Sequence, residues 1–282
     1  MQYATPPLLF RFKRAMLHAL TQFIPQGTSV GWALTALAAG VLVTGIAKSG
    51  FGGGIGILAV PLMAGAIHTD AVLGVMLPIL IAADIAAVSQ HRRFVEPRQL
   101  RRCLLGGLVG VVAGTVLLRV YQKASSFSAL LSGTVGSVCL LLVAVQLWRF
   151  AGKRIPRLPD NRPTAVGVGG LAGLVSTLAH AAGPVMSVYF LDQRMKKRQL
   201  VATLAVFFFA LNLMKVPGYV ALGVINIATL KASALLLPVV PLGALLGLWL
   251  HHKVPERPFT LLMYLGAAAA GTRMIFKAFA SG

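Results

Sequence analysis

Seven apolar stretches, each long enough to cross a bilayer, recur along this 282-residue chain at about 30–47, 71–90, 103–121, 126–148, 199–221, 228–250 and 258–279. A soluble domain of this length does not carry several such runs. Only helices and closed barrels satisfy every backbone polar group inside lipid. The stretches are continuous in Leu, Val, Ala, Ile and Gly and lack the alternation of a barrel strand. With 57% hydrophobic and 11% charged residues, the sequence predicts an all-α polytopic membrane protein. Two shorter or interrupted pieces remain, at 54–67 and at 164–180 with 184–191.

The net charge is +20, from 26 Lys and Arg against 6 acids. In a soluble chain such a balance would point to nucleic acid. Here the basic residues sit in short connections between apolar runs, so a nucleic-acid partner is set aside and the bilayer is the expected environment. Connections 91–102, 149–162, 192–198 and 251–257 hold 16 of the 26, whereas those near 67–70, 119–125 and 222–231 hold Arg119, Lys123 and Lys231. The first set is expected on the cytoplasmic side.

Shifting the second half back by 128 residues superimposes the pattern of spans. Gly45 then meets Gly173, Val60 meets Val188 and Asp84 meets Asn212. Val111-Val112 meet Val239-Val240, and Leu117-Leu118 meet Leu245-Leu246. The expectation is a duplicated chain: a basic peripheral segment 1–28, a first transmembrane repeat 29–149, a cytoplasmic linker 150–163 and a second repeat 164–282. Residues 1–28 carry Arg11, Lys13 and Arg14 but no apolar core or small-residue cleavage site of the secretory type. The basic connections make span 71–90 run inward and its mate 199–221 outward, so the halves are expected to be inverted, each with a Gly/Pro-broken or re-entrant segment. One point stays open. If both early segments are hairpins the N-terminus lies outside; if 30–47 spans and 54–67 is re-entrant, it lies inside.

The chemistry concentrates at the interruptions. Lys48 stands beside Gly50, Gly52, Gly53, Gly54 and Gly56, between two apolar segments. An ammonium at bilayer centre costs ~2.5–3.5 kcal/mol on insertion scales, so such a residue usually faces a cavity, a partner or a substrate. In the second half the corresponding stretch is Ser176-Thr177-Leu178-Ala179-His180-Ala181-Ala182-Gly183-Pro184. Pro184 after Gly183 suits the first turn of a short helix, whose free N–H groups and positive dipole end favour an anion. The same is expected of Gly52, Gly53 and Gly54 in the first half. Taken singly, these glycines read as helix-packing residues; as two matching clusters with Lys48 they point to a midplane site.

Phe208, Asn212, Lys215 and Tyr219 share one helical face, with a kink expected at Pro217. Lys215 either lines the site or snorkels to the outer interface about six residues away. Asp84 is the acid well inside a span, and either neutralises Lys48 or Lys215 or carries a coupling proton. His180 reads equally as an anion-binding, titrating group and as a structural hydrogen-bonder. Cys103 and Cys139 read as small buried residues. No metal or cofactor spacing is present, and no GxSxG, HExxH, Walker A or paired-carboxylate pattern supports a catalytic reading. A lysine and an aspartate on separate helices would also fit a retinal Schiff base and its counter-ion, but that leaves the glycine-broken segments unexplained.

Gly45-Ile46-Ala47-Lys48-Ser49-Gly50-Phe51-Gly52-Gly53-Gly54, with Pro61 after it, resembles the first motif of the TauE/SafE family of sulfite-exporter-like membrane proteins. The stretch from Ser176 to Pro184, then Tyr189-Phe190-Leu191, is similar to the family's second motif, and Thr203, Phe207-Phe208 and Asn212 to Tyr219 extend it. His180-Ala181-Ala182 stand where many members have glycines. The resemblance covers most of residues 30–279. It implies a duplicated helical fold, a bacterial inner-membrane location and transport of a small anion, often sulfite or an organosulfur compound. The expected site is then Lys48, Gly50, Gly52, Gly53, Gly54, His180, Gly183, Pro184, Asn212 and Lys215, with Asp84 pairing charge or coupling a proton, and with no cofactor. Alternatives are a non-transporting membrane scaffold or a membrane-embedded enzyme. Nothing in the sequence decides between a monomer and a homodimer.

Overall fold

The computed structural model describes residues 21–49, 54–152, 157–193 and 195–280. Among them are eleven α-helices and no strand. In chain order they are α1 (Val30–Ser49), α2 (Ala59–Ala64), α3 (Thr69–His91), α4 (Pro97–Gln122), α5 (Phe127–Phe150), α6 (Arg162–Ala179), α7 (Gly183–Asp192), α8 (Lys197–Ala221), α9 (Ile227–Leu236), α10 (Val239–Lys253) and α11 (Glu256–Ala280). Six are long and apolar enough to cross a membrane: α1, α3, α4, α5, α8 and α11.

The stretch expected as one span over 228–250 is instead broken. α9 and α10 meet at a bend of 41°. Pro238 lies at the break; it has no N–H to donate and its ring crowds the carbonyl four residues back. The opposite holds at Pro217, where α8 runs on to Ala221, as α3 runs past Pro78.

Four glycines set the tightest contact, that of α4 with α6. A Cβ on Gly106 would stand 1.9 Å from the Val166 carbonyl oxygen, and one on Gly110 would stand 2.0 Å from that of Gly170. From the other side, a Cβ on Gly169 would stand 2.1 Å from the Cys103 carbonyl oxygen and one on Gly173 2.3 Å from that of Gly107. Any side chain at these positions would part the backbones, which is how small residues associate helices in lipid. The outer face of α4, with Leu105, Val109, Val112, Val116 and Val120, is exposed, as expected of a lipid-facing stripe.

The halves interlock. α1 packs on α10 and α6 on α4, so the first helix of each half lies against a late helix of the other. α3 and α8 pair at the centre, and α5 pairs with α11. In both pairs, residues 128 positions apart touch: Asn212 Nδ2 donates to Asp84 Oδ2 at 2.7 Å, and the Cys139 thiol donates to the Ala267 carbonyl at 3.4 Å.

The His68 N–H donates to the Phe23 carbonyl at 3.0 Å, so the chain just before α1 lies beside the start of α3. α1 therefore runs away from that face and the segment from Gly54 to Ala64 leads back toward it. The basic connection after α3 lies at the far face. Residues 1–20 of the basic N-terminal segment and 153–156 of the linker lie outside the described residues. The rest of the linker is tied down, with Gln99 Nε2 donating to Asp160 Oδ1 at 2.7 Å and Arg102 paired to the same oxygen at 3.3 Å.

Candidate functional site

α6 ends because His180 adopts a left-handed backbone, φ 50° and ψ 28°, from which its N–H still bonds the Ser176 carbonyl at 3.0 Å. That conformation is uncommon outside glycine and stops the helix. Two residues later Gly183 and Pro184 open α7, where the missing N–H of proline costs nothing because the first turn has no acceptor for it. In the first half, α1 ends one residue beyond Lys48 and the chain resumes as a 3-10 turn over Gly54–Leu58 before the six residues of α2. The expectation of equivalent half-helices is thus corrected. Glycines at 54 and 56 disfavour a regular α-helical start and the tighter 3-10 winding takes its place. Gly50, Gly52 and Gly53 lie outside the described residues.

Both interruptions open on one cavity of about 90 Å³. Lys48, Gly56 and Val60 line it from the first break, and Ser176, His180, Gly183 and Pro184 from the second. α3 supplies Met76 and Leu80, and α8 supplies Phe208 and Asn212. This volume accommodates several waters or one small oxyanion, since about 10–15 Å³ measured in the same way already holds one water. In the first turn of α7 the N–H groups of Gly183 and Val185 have no acceptor within their own helix, and that helix end forms part of the wall.

Two polar networks flank the cavity. In the first, Lys48 Nζ is ion-paired with Asp84 Oδ1, and Asn212 holds the other carboxylate oxygen. The Lys48 side chain is 22% exposed and that of Asp84 1%. The ammonium also lies 5.9 Å from the centre of the Phe208 ring, within cation–π range. In the second, Lys215 is fully buried and does not snorkel; the alternative of an interfacial lysine is overturned. Its Nζ donates to the Ser176 carbonyl at 3.3 Å and the Ser176 hydroxyl at 3.0 Å, and meets His180 Nδ1 at 2.9 Å.

Three acceptors match the three protons of an ammonium. On the other side of the ring, His180 Nε2 meets the Leu73 carbonyl at 3.1 Å. A carbonyl only accepts, so Nε2 carries the proton, leaving Nδ1 to accept from Lys215. Tyr219 closes the network, its hydroxyl donating to the Thr177 carbonyl at 2.5 Å and its ring edge-on to His180.

Of the expected site residues, Lys48, Asp84, Asn212, His180, Gly183 and Pro184 come together, and Lys215 stands directly behind His180. Ser176 and Tyr219 are additional participants. Ser176 was legible in principle, because the 128-residue offset that pairs Asp84 with Asn212 also pairs Lys48 with Ser176. Met76 and Leu80 gave no signal, being apolar residues in an apolar helix.

A family model described as Sulfite exporter TauE/SafE matches residues 36–274. Neither the curated proteins nor the solved structures provide a match. With both interruptions, the cavity between them and nearly all the helices inside the matched range, the chain belongs to the TauE/SafE family of sulfite-exporter-like membrane transporters.

Proposed function

We propose that this protein carries a small anion across the bacterial inner membrane, with sulfite and small organosulfur compounds as the leading substrates. The anion would bind in the cavity between the two helix breaks. Lys48 would contact it directly, with Asn212 and the N-terminal N–H groups of α7 as neutral donors, His180 as part of the wall, and Lys215 would add positive potential from behind that ring. One observation carries the reading: the two interrupted segments and a partly exposed ammonium meet at a single cavity. A buried charge is expensive to retain unless it serves such a purpose.

The interlocked halves support alternating access. Contacts between residues 128 apart on α3 and α8, and on α5 and α11, are what a two-fold axis through both pairs would produce. Rocking one half against the other would expose the cavity to each face in turn.

Flux of sulfite, thiosulfate and small sulfonates into liposomes holding the purified protein tests this, with and without a pH gradient. Saturable uptake is expected for at least one of them, reduced at least about tenfold by Lys48→Ala, on the scale of a lost charge-assisted contact. Equal flux of Lys48→Ala and wild type at every concentration would remove the cavity assignment.

A further inference from the structure

Lys48 faces two claims on one ammonium. It forms part of the cavity wall with its side chain 22% exposed, yet it is already paired with the nearly inaccessible carboxylate of Asp84. That carboxylate is itself a small anion, and it arrives from a different helix than the cation. Its second oxygen is anchored by Asn212 on α8. We propose that Asp84 is a tethered competitor for the substrate: it occupies Lys48 while the cavity is empty, gives way when an anion enters, and is kept from following by Asn212. The inference rests on reading the cavity as an anion site.

The argument is one of charge. A carrier that alternates between two faces must also return empty, and a bare ammonium inside lipid is costly in that state. Asp84 removes the cost by supplying the counter-charge when no substrate is present. With substrate bound, two anions would share one ammonium, and their repulsion favours a proton on Asp84. Binding of an anion of fixed charge is then linked to uptake of a proton at that carboxyl.

Few other groups intrude on Asp84. Lys48 reaches it from α1 and Asn212 from α8, while Lys215, also on α8, acts on it through space and is bonded to His180 at the end of α6. α2 brings no titratable side chain, α9 brings the exposed Lys231, and α5 brings Cys139, bonded to the Ala267 carbonyl, and Arg149 in its last turn. On α3 itself Asp70 and His91 stand in the first and last turns, followed by Arg92 and Arg93.

Equilibrium binding of ethanesulfonate and of thiosulfate, whose charges stay fixed between about pH 5 and pH 8, provides the test on the full chain in detergent. Wild type is expected to bind more tightly as pH falls. Asp84→Asn is expected to bind at least about tenfold more tightly than wild type at the alkaline end, the scale of close charge couplings, and to lose the pH dependence. In a Lys48→Ala background the gain should shrink well below tenfold, because the contested cation is gone and only the repulsion from the carboxylate is relieved. Binding by Asp84→Asn that is no tighter than wild type, or that keeps the pH dependence, overturns the competitor role while leaving the anion site intact. Should the variant fail to fold, a flat wild-type pH series overturns the proposal, and tightening at low pH supports it where it persists in His180→Gln, since His180 lines the same cavity. Absence of binding by wild type at every pH would instead sink the anion site and the inference with it.

Discussion

The two helix breaks lie against the same cavity, yet they handle positive charge in opposite ways. At the first, Lys48 is on the interrupted helix and its partner is a carboxylate on the central helix α3. At the second, the lysine is on the central helix α8, and its partners are a hydroxyl, a carbonyl and an imidazole at the end of the interrupted helix. The offset of 128 makes the contrast direct: Ser176 stands where the first half has Lys48, and Asn212 where it has Asp84. Each half thus links its broken helix to its central helix through one ammonium. One ammonium is neutralised by an ion pair and the other is solvated by neutral acceptors. The difference teaches that of the two lysines beside the cavity only Lys48 has an acid within hydrogen-bonding distance, and Lys215 has none among the described residues.

The contrast breaks most visibly by removing Lys48. Lys48→Met leaves the Asp84 carboxylate buried with Asn212 alone, and is expected to destabilise the protein by ~3 kcal/mol, the usual order for a buried pair that loses one member. Lys48→Met with Asp84→Leu should recover most of that loss, because no charge remains to be solvated, while transport stays abolished. Thermal unfolding in one detergent, read beside liposome flux, checks both. A double variant no more stable than the single one would mean that the pair is not an isolated charge unit.

Lys215→Met sharpens the comparison from the other side. No carboxylate is stranded by it; only His180 Nδ1 and the Ser176 oxygens lose a donor, and the Ser176 hydroxyl can turn. The expected cost is ~1–2 kcal/mol, the range for buried polar groups left without a partner, and so smaller than for Lys48→Met. The same unfolding measurement ranks the two. A larger loss for Lys215→Met would show that the neutral cage, not the ion pair, holds the cavity wall.

These differences explain what the sequence made legible. Long apolar runs fix α3, α4, α5, α8 and α11, because length and hydropathy suffice for a membrane helix. The break between α9 and α10 was missed because Pro217, Pro78 and Pro238 all interrupt apolar stretches, and whether a proline is carried within a helix or ends it depends on neighbours that re-satisfy the freed carbonyl. In the site, residues out of place in lipid were legible: Lys48, Asp84, Asn212, His180 and Lys215. Their pairing was not. Sequence left Asp84 suited to either lysine, and only the packing of α1 on α3, with the hydrogen bonds that hold Lys215 of α8 to the end of α6, assigns it to Lys48. The alternative of a snorkelling Lys215 failed for the same reason, since depth along a helix does not say which face is covered.

His180 is where the second break departs furthest from the glycine-rich first, and His180→Gly makes the two alike. Two effects oppose each other. Glycine relieves the left-handed strain, worth ~1–2 kcal/mol for a residue with a Cβ. Against that, the ring's bonds to Leu73 and Lys215 disappear, each worth about 1 kcal/mol net, and glycine adds ~0.5–1 kcal/mol of unfolded-state entropy. The sum is a loss of ~0.5–2 kcal/mol, centred slightly below the loss for Lys215→Met. Flux should respond differently, because the ring lines the cavity and screens Lys215 from it. Half-saturation for thiosulfate is expected to fall several-fold, because removing the ring uncovers Lys215 to the cavity. Half-saturation unchanged in His180→Gly would instead assign His180 to the structural cage and leave the anion to Lys48 and the start of α7.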